Sequence, residues 1–281
     1  MSGSRESQPG VPGPRTADGD DPLDRAVWRL RSRGCWDDAA ALLAPFAAVD
    51  PAAALQRSSV LIEQCMYTAT GWEAAEEALR AVEAIAHTDD ERGAAACERG
   101  HLAYASTMFT GRDRADEARS ALGRAAALLP PGSAARPLLD FRRGLVAQHL
   151  ARDPAGAQAA FQRSHAGATA HGDRFLCSFT WRHLAAMAAQ SGKLAEARHG
   201  FAESLRIREE LGYLIGIAPA LSALAEVEPE PDASQLRTEA GRLVRLLGGV
   251  PAWLADQMRT TADHGSGSGT GTGTSNGTSR G

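Results

Sequence analysis

The feature that most constrains this chain is a spaced repeat of one small and one large apolar residue. Ala39/Leu43, Ala75/Leu79, Ala118/Leu122, Ala157/Phe161 and Ala197/Phe201 are pairs four residues apart, and successive pairs begin 36, 43, 39 and 40 residues after one another. A weaker sixth copy, Ala240/Val244, follows 43 residues later. A four-residue step returns to the same face of an α-helix. On that face the alanine lets a neighbouring helix come close, and the larger side chain fills the groove beside it.

A turn signal precedes each of the first five copies. Gly34, Gly71, Gly111 and Gly192 stand four to seven residues ahead of the alanine, where a helix would be capped. Arg152-Asp153-Pro154 takes that place in the fourth copy, with Pro154 suited to a first helical turn. Pro130-Pro131-Gly132 parts the third unit from the fourth, and Glu228-Pro229-Glu230-Pro231 divides the sixth. The pattern predicts helix pairs over 22–48, 51–86, 89–129, 134–170, 173–211 and 213–248, with a capping helix at 250–262.

Composition points the same way. Hydrophobic residues make up 43% of the chain, yet it has five isoleucines and no alternating strand-like run. Abundant alanine favours helices that pack closely. The expected class is all-α. Residues 1–21 and 263–281, rich in Gly, Ser, Pro and Thr, cannot bury enough apolar surface to offset their ordering entropy and are expected as disordered tails.

In the fifth unit Leu184-Ala185, Ala188, Gly192, Ala197, Phe201 and Ser204 fall at the offsets of the tetratricopeptide consensus, with Ala185 and Ala188 replacing its usual Gly and Tyr. On those residues the chain resembles the tetratricopeptide-repeat family. Its period of roughly 40 residues exceeds the usual length of about 34, which implies helices longer by about a turn each. Residues 207–227 (IREELGYLIGIAPALSALAEV) and 239–248 further resemble the helical-repeat part of large actinobacterial signal-transduction ATPases and transcriptional regulators. Arg carries nearly all the basic charge, with Lys193 the sole Lys, a bias that fits such a high-GC source. Those regulators also carry a GxxxxGK[ST] nucleotide loop, which this sequence lacks. The resemblance implies a right-handed α-solenoid of about six helix-turn-helix repeats whose first helices line a concave groove.

Aligned on the consensus, the third unit (Gly100 at the small position) offers His101 and Tyr104 to that groove. The fourth (Gly144) offers Phe141, Gln148 and His149, and the fifth offers Phe179, Arg182 and Gln190. Charge adds Arg142 and a partner preference. Residues 1–135 carry 14 basic and 20 acidic residues, whereas 136–212 carry 11 and 7, together with five of the eight histidines. The expected partner is an acidic peptide or protein segment. The alternative expectation is a regulatory sensor module that binds a small molecule or peptide.

Several other functions are set aside. The 30 basic and 34 acidic residues leave no general basic face for nucleic acid. No apolar run suits a membrane span and no N-terminal apolar segment suits a secretory signal, so a cytoplasmic setting is expected. Cys35, Cys65, Cys97 and Cys177 lack metal-knuckle or redox spacing, and Cys97 with His101 supplies only one edge of a metal site. No HExxH, GxSxG or phosphate loop occurs. The sequence therefore predicts no catalytic residues, no metal and no cofactor. Trp36 and Trp72 are read as packing anchors, and Glu209-Glu210 as partners of Arg206 or Arg208.

Overall fold

The computed structural model describes residues 21–247. Over that range it is all-helical. Twelve helices run in chain order: α1 Pro22–Arg31, α2 Trp36–Ala47, α3 Pro51–Thr68, α4 Trp72–Ile85, α5 Asp89–Thr110, α6 Ala115–Leu128, α7 Arg136–His149, α8 Pro154–Ala170, α9 Arg174–Gln190, α10 Leu194–Glu210, α11 Leu214–Ala225 and α12 Asp232–Leu247. The helix expected at 250–262 and the tail at 263–281 lie outside the described residues, as does the first tail apart from Asp21.

Local chemistry explains where the helices start and stop. Asp21, Asp50, Asp153 and Asp173 accept hydrogen bonds from first-turn amides, and Pro22, Pro51 and Pro154 open the first turns of α1, α3 and α8. Thr88 and Glu91 form a reciprocal capping box at α5, so the acidic run Asp89-Asp90-Glu91 begins a helix as expected. Gly34, Gly71, Gly111 and Gly192 take left-handed backbone angles in the turns within the first, second, third and fifth pairs. In the fourth pair Arg152 adopts that conformation with φ of 53° in glycine's absence.

Each predicted Ala/large pair points inward. Ala39, Ala75, Ala118, Ala157 and Ala197 are fully buried, as are or nearly are Leu43, Leu79, Leu122, Phe161 and Phe201. The small partners on the facing helices are equally specific. A Cβ at Gly144 would meet the Phe161 ring at 2.5 Å, and one at Gly100 would meet Leu122 at 2.6 Å. In the fifth pair the roles are exchanged, with Gly200 of α10 facing Ala185 of α9. Ala197→Leu is accordingly expected to overpack the α9–α10 contact and to destabilise the protein by roughly 1–3 kcal/mol. Urea unfolding followed by circular dichroism reads this, and an unchanged midpoint would place Ala197 outside the core.

The first helices of the first five pairs meet around a shared interior. Glu63 of α3 contacts Arg31 of α1, Glu98 of α5 contacts Arg142 of α7, and Phe141 of α7 packs on Phe179 of α9. The series then returns to its start. Trp28 of α1 sets its ring edge-on to Phe175 of α9, with centroids 5.1 Å apart, and donates from Nε1 to the Leu211 carbonyl at 3.1 Å. The Ile215 amide donates to the Ser32 carbonyl at 3.0 Å. The first helix pair thus seals against α9 and the turn joining α10 to α11. The open concave groove expected from the sequence is corrected by this closure, because the inner faces have one another as neighbours.

Candidate functional site

Aromatic, histidine and arginine side chains fill the interior in two polar networks. The first spans the seam. Tyr213 donates to Glu63 Oε1 at 2.7 Å, and its oxygen lies 3.0 Å from the Tyr67 hydroxyl. Because Tyr213 commits its single proton to the carboxylate, Tyr67 is the donor in the second bond. Glu63 also takes a hydrogen bond from Arg31 Nε. The Arg31 guanidinium sits 4.9 Å above the Phe175 ring. Burial opposes the Arg31 charge, but Glu63 and Tyr213 more than offset it and hold its pKa above the ordinary value. Burial, reinforced by Glu63, drives the Tyr213 phenol far upward.

The second network joins α5, α7 and α9. Arg142 and Glu98, both 4% exposed, pair at 2.7 Å, and Arg142 Nη1 lies 3.2 Å from Cys97 Sγ. Burial works against the Glu98 charge. Arg142 and His101 overcome it and bring its pKa down to about 2. His101 stacks on Tyr104, and the Tyr104 hydroxyl reaches His149 Nδ1 at 2.7 Å. His183 lies 3.3 Å from Gln148 Oε1 and stacks on the Phe161 ring.

Between the networks lie Arg182 and Arg208 beside the His149 and His183 rings, with the Glu226 carboxylate acting on Arg182. Burial lowers the pKa of Arg208, and burial together with Arg208 brings Arg182 down to about 10. His183 is depressed well below its ordinary value, first by burial and then by Arg182, His149 and Arg208. His149 is lowered by burial and by Arg182. Tyr67, His149, Phe179, Arg182 and His183 nevertheless keep part of their surface in contact with solvent.

Of the sequence-selected residues, His101, Gln148, His149, Phe179 and Arg182 are half-buried on this interior surface. Tyr104, Phe141 and Arg142 are instead buried at 5%, 8% and 4% exposure, which corrects their expected place on an open groove. Packing of α7 against α8 and α9 sets Phe141 among Phe161, Phe179 and His183, and Glu98 neutralises Arg142. Gln190 is exposed at the last residue of α9 and outside both networks. The sequence reading missed Arg31, Glu63, Tyr67, His183, Arg208 and Tyr213. Tyr67–Tyr213 and Glu63–Tyr213 join residues 146 and 150 positions apart, a separation no local pattern encodes. Glu210 pairs with Arg206, as one of the expected alternatives had it, and also with Arg174, while Arg208 turns inward.

Among the described residues, no group of three or more His, Cys, Asp and Glu is placed to hold a metal ion, and no helix is long and apolar enough to cross a membrane. The site belongs to an all-helical protein of paired helices with a cationic, aromatic interior. No protein-family model matches the chain. No curated protein matches it either. Among solved structures, the crystal structure of BtubC (BKLC) from P. vanneervenii is similar at 15% identity and a TM-score of 0.49, covering 93% of this chain and 100% of that one.

The shifted groups set a pH dependence. His101, His149 and His183 titrate below their ordinary value in the fold, so below about pH 6.5 the unfolded chain binds protons that the folded chain refuses. Stability therefore falls as pH drops from about 7 to 5. Glu98 is depressed in the fold, so its contribution is present above about pH 4.5 and is lost as pH falls toward 2. Urea midpoints across pH should decline in these two stages. A flat profile between about pH 8 and 5 would contradict the neutral buried histidines.

Proposed function

We propose that the chain is a right-handed α-solenoid of the tetratricopeptide type and serves as a non-catalytic binding module for an acidic segment of a partner protein. The observation that carries this reading is the interior surface around Arg182 and Arg208. There two guanidinium groups and the His149 and His183 rings face one another beside the half-buried aromatics Tyr67 and Phe179. Repulsion between the two guanidinium groups is relieved by an anion, the neutral imidazoles can add hydrogen bonds to it, and aromatic neighbours supply the apolar anchor that gives a contact its affinity. Much of the remaining basic charge of 136–212 is already matched on the surface: Arg163 by Asp140, Arg174 and Arg206 by Glu210, Arg198 by Glu228. Arg182 feels the Glu226 carboxylate, and Arg208 meets no carboxylate within ion-pair distance among the described residues, so the interior attraction for an acidic partner centres on Arg208. A cytoplasmic setting, in which Cys35, Cys65, Cys97 and Cys177 remain free thiols, goes with this reading.

A second reading, a regulatory sensor module that encloses a small molecule, is favoured by the closure of α1 onto α9, since an enclosed interior suits a compact ligand better than a long extended one. Titration of a fluorescent Asp/Glu-rich peptide into the full chain tests the first reading. Affinity is expected to weaken with added salt and to fall roughly tenfold or more in Arg182→Glu. The same reversal at Arg80, exposed on α4, is expected to change little. Salt-independent binding, or equal losses at both positions, would remove the interior from the interaction.

A further inference from the structure

Arg208 lies in the last turn of α10 and is 2% exposed. Its Nη1 donates to the Gly216 carbonyl at 2.7 Å, and its guanidinium carbon sits 4.9 Å from the centre of the Phe179 ring. Those contacts occupy one corner and one face of the planar group. The opposite edge is unused. Nε is buried without a hydrogen-bond partner, and Nη2 donates to no group among the described residues. Arg31, Arg99, Arg114 and Arg142 each meet a carboxylate, whereas Arg208 meets none within ion-pair distance among the described residues.

Removing a guanidinium from water without a counter-charge is costly, and leaving donors unmade adds to that cost. An edge of two parallel N–H groups is also the geometry that grips a carboxylate through two hydrogen bonds at once. We propose that the Nε–Nη2 edge of Arg208 is a binding site for a carboxylate group. Phe179 fixes the plane of the fork, and Arg182, which also feels Glu226, lies near enough for its charge to act on Arg208. The half-buried Tyr67, Phe179 and Arg182 mark the approach. A planar monoanion matches the single two-donor edge, whereas a phosphate would leave oxygens without donors. The carboxylate could come from an acidic segment of a partner or from a free organic acid. The site rests on the reading of the interior as a binding surface and identifies the chemical group recognised there.

Thermal melting of the full chain, with NaCl matching ionic strength throughout, tests the assignment. The probes are succinate, citrate, an Asp/Glu-rich peptide and inorganic phosphate. A carboxylate ligand is expected to raise the parent's melting temperature by about 2 °C or more at saturation. Arg208→Lys keeps the charge but loses the fork, and is expected to bind the same probe at least about tenfold more weakly. Arg208→Met is expected to lose the response altogether, and the lysine variant preserves the test if the methionine variant fails to fold. A response to succinate or citrate assigns a free acid; a response to the peptide alone assigns a protein segment. Stabilisation by phosphate but by no carboxylate overturns the proposal, as does an equal response in parent and Arg208→Lys, or no response to any probe. Peptide binding unaffected by Arg208→Lys would leave the protein-partner reading standing without this site. Succinate binding through Arg208, with no peptide binding, would keep the site and dismiss that partner.

Discussion

Trp28→Ala is expected to lower the melting temperature by roughly 6–20 °C, corresponding to about 3–5 kcal/mol for loss of a buried tryptophan in a chain of this size. Trp28 is 3% exposed and touches both sides of the seam. Its ring packs against Phe175 and Tyr213, and its Nε1–H donates to the Leu211 carbonyl. Truncation removes that apolar area and leaves the carbonyl without its donor, so two penalties add. Neighbouring pairs keep their own contacts, because each helix pair packs mainly on the next. Circular dichroism at room temperature should therefore stay helical while small-angle scattering shows a larger radius of gyration. Phe46→Ala is the control: Phe46 is 49% exposed on α2, and its removal is expected to shift stability by no more than about 0.5 kcal/mol. If Trp28→Ala melts like the parent, the closure of α1 onto α9 does not hold the molecule together.

Glu98→Ala is expected to destabilise by about 3–5 kcal/mol, since it strands the Arg142 guanidinium in a site from which both partners are almost wholly withdrawn from water. The Cys97 thiol beside Arg142 is itself pushed upward by burial and gives little compensation. The double variant Glu98→Leu/Arg142→Met is expected to regain most of that loss, because neither charge then has to be desolvated. Denaturant midpoints of the single and double variants give the comparison. A double variant no better than the single one would mean that the pair contributes through shape and not through mutual neutralisation.

The helical pairs were legible because their determinants are local. A proline or aspartate at a first turn, a glycine able to take positive φ, and an alanine four residues before a leucine act within a few positions of one another. Even the facing small residues Gly100 and Gly144 could be placed from the repeat, and they meet Leu122 and Phe161 as that register requires. Arg152 shows how loosely the turn is specified, since a non-glycine residue fills the left-handed position once the flanking helices fix its path.

The site was only partly legible. The repeat selects residues on the first helices, and it found His101, Gln148, His149, Phe179 and Arg182 on the interior surface. It could not show that the series closes. Closure depends on the small rotation between successive pairs accumulating until Trp28 meets Phe175 and Leu211, and that angle is set by packing throughout the molecule. Tertiary packing in turn decided which charges were neutralised. Glu98 falls beside Arg142, Glu63 beside Arg31 and Tyr213, and Arg208 turns away from the adjacent carboxylates of Glu209 and Glu210 to lie over Phe179. The sequence by itself determined the helices, their pairing and their buried faces, since each rests on interactions within one or two turns of chain. Only the tertiary structure decided that the inner faces meet, and that the buried Arg208 guanidinium keeps two donors unused among the described residues, because both depend on groups brought together from distant parts of the chain.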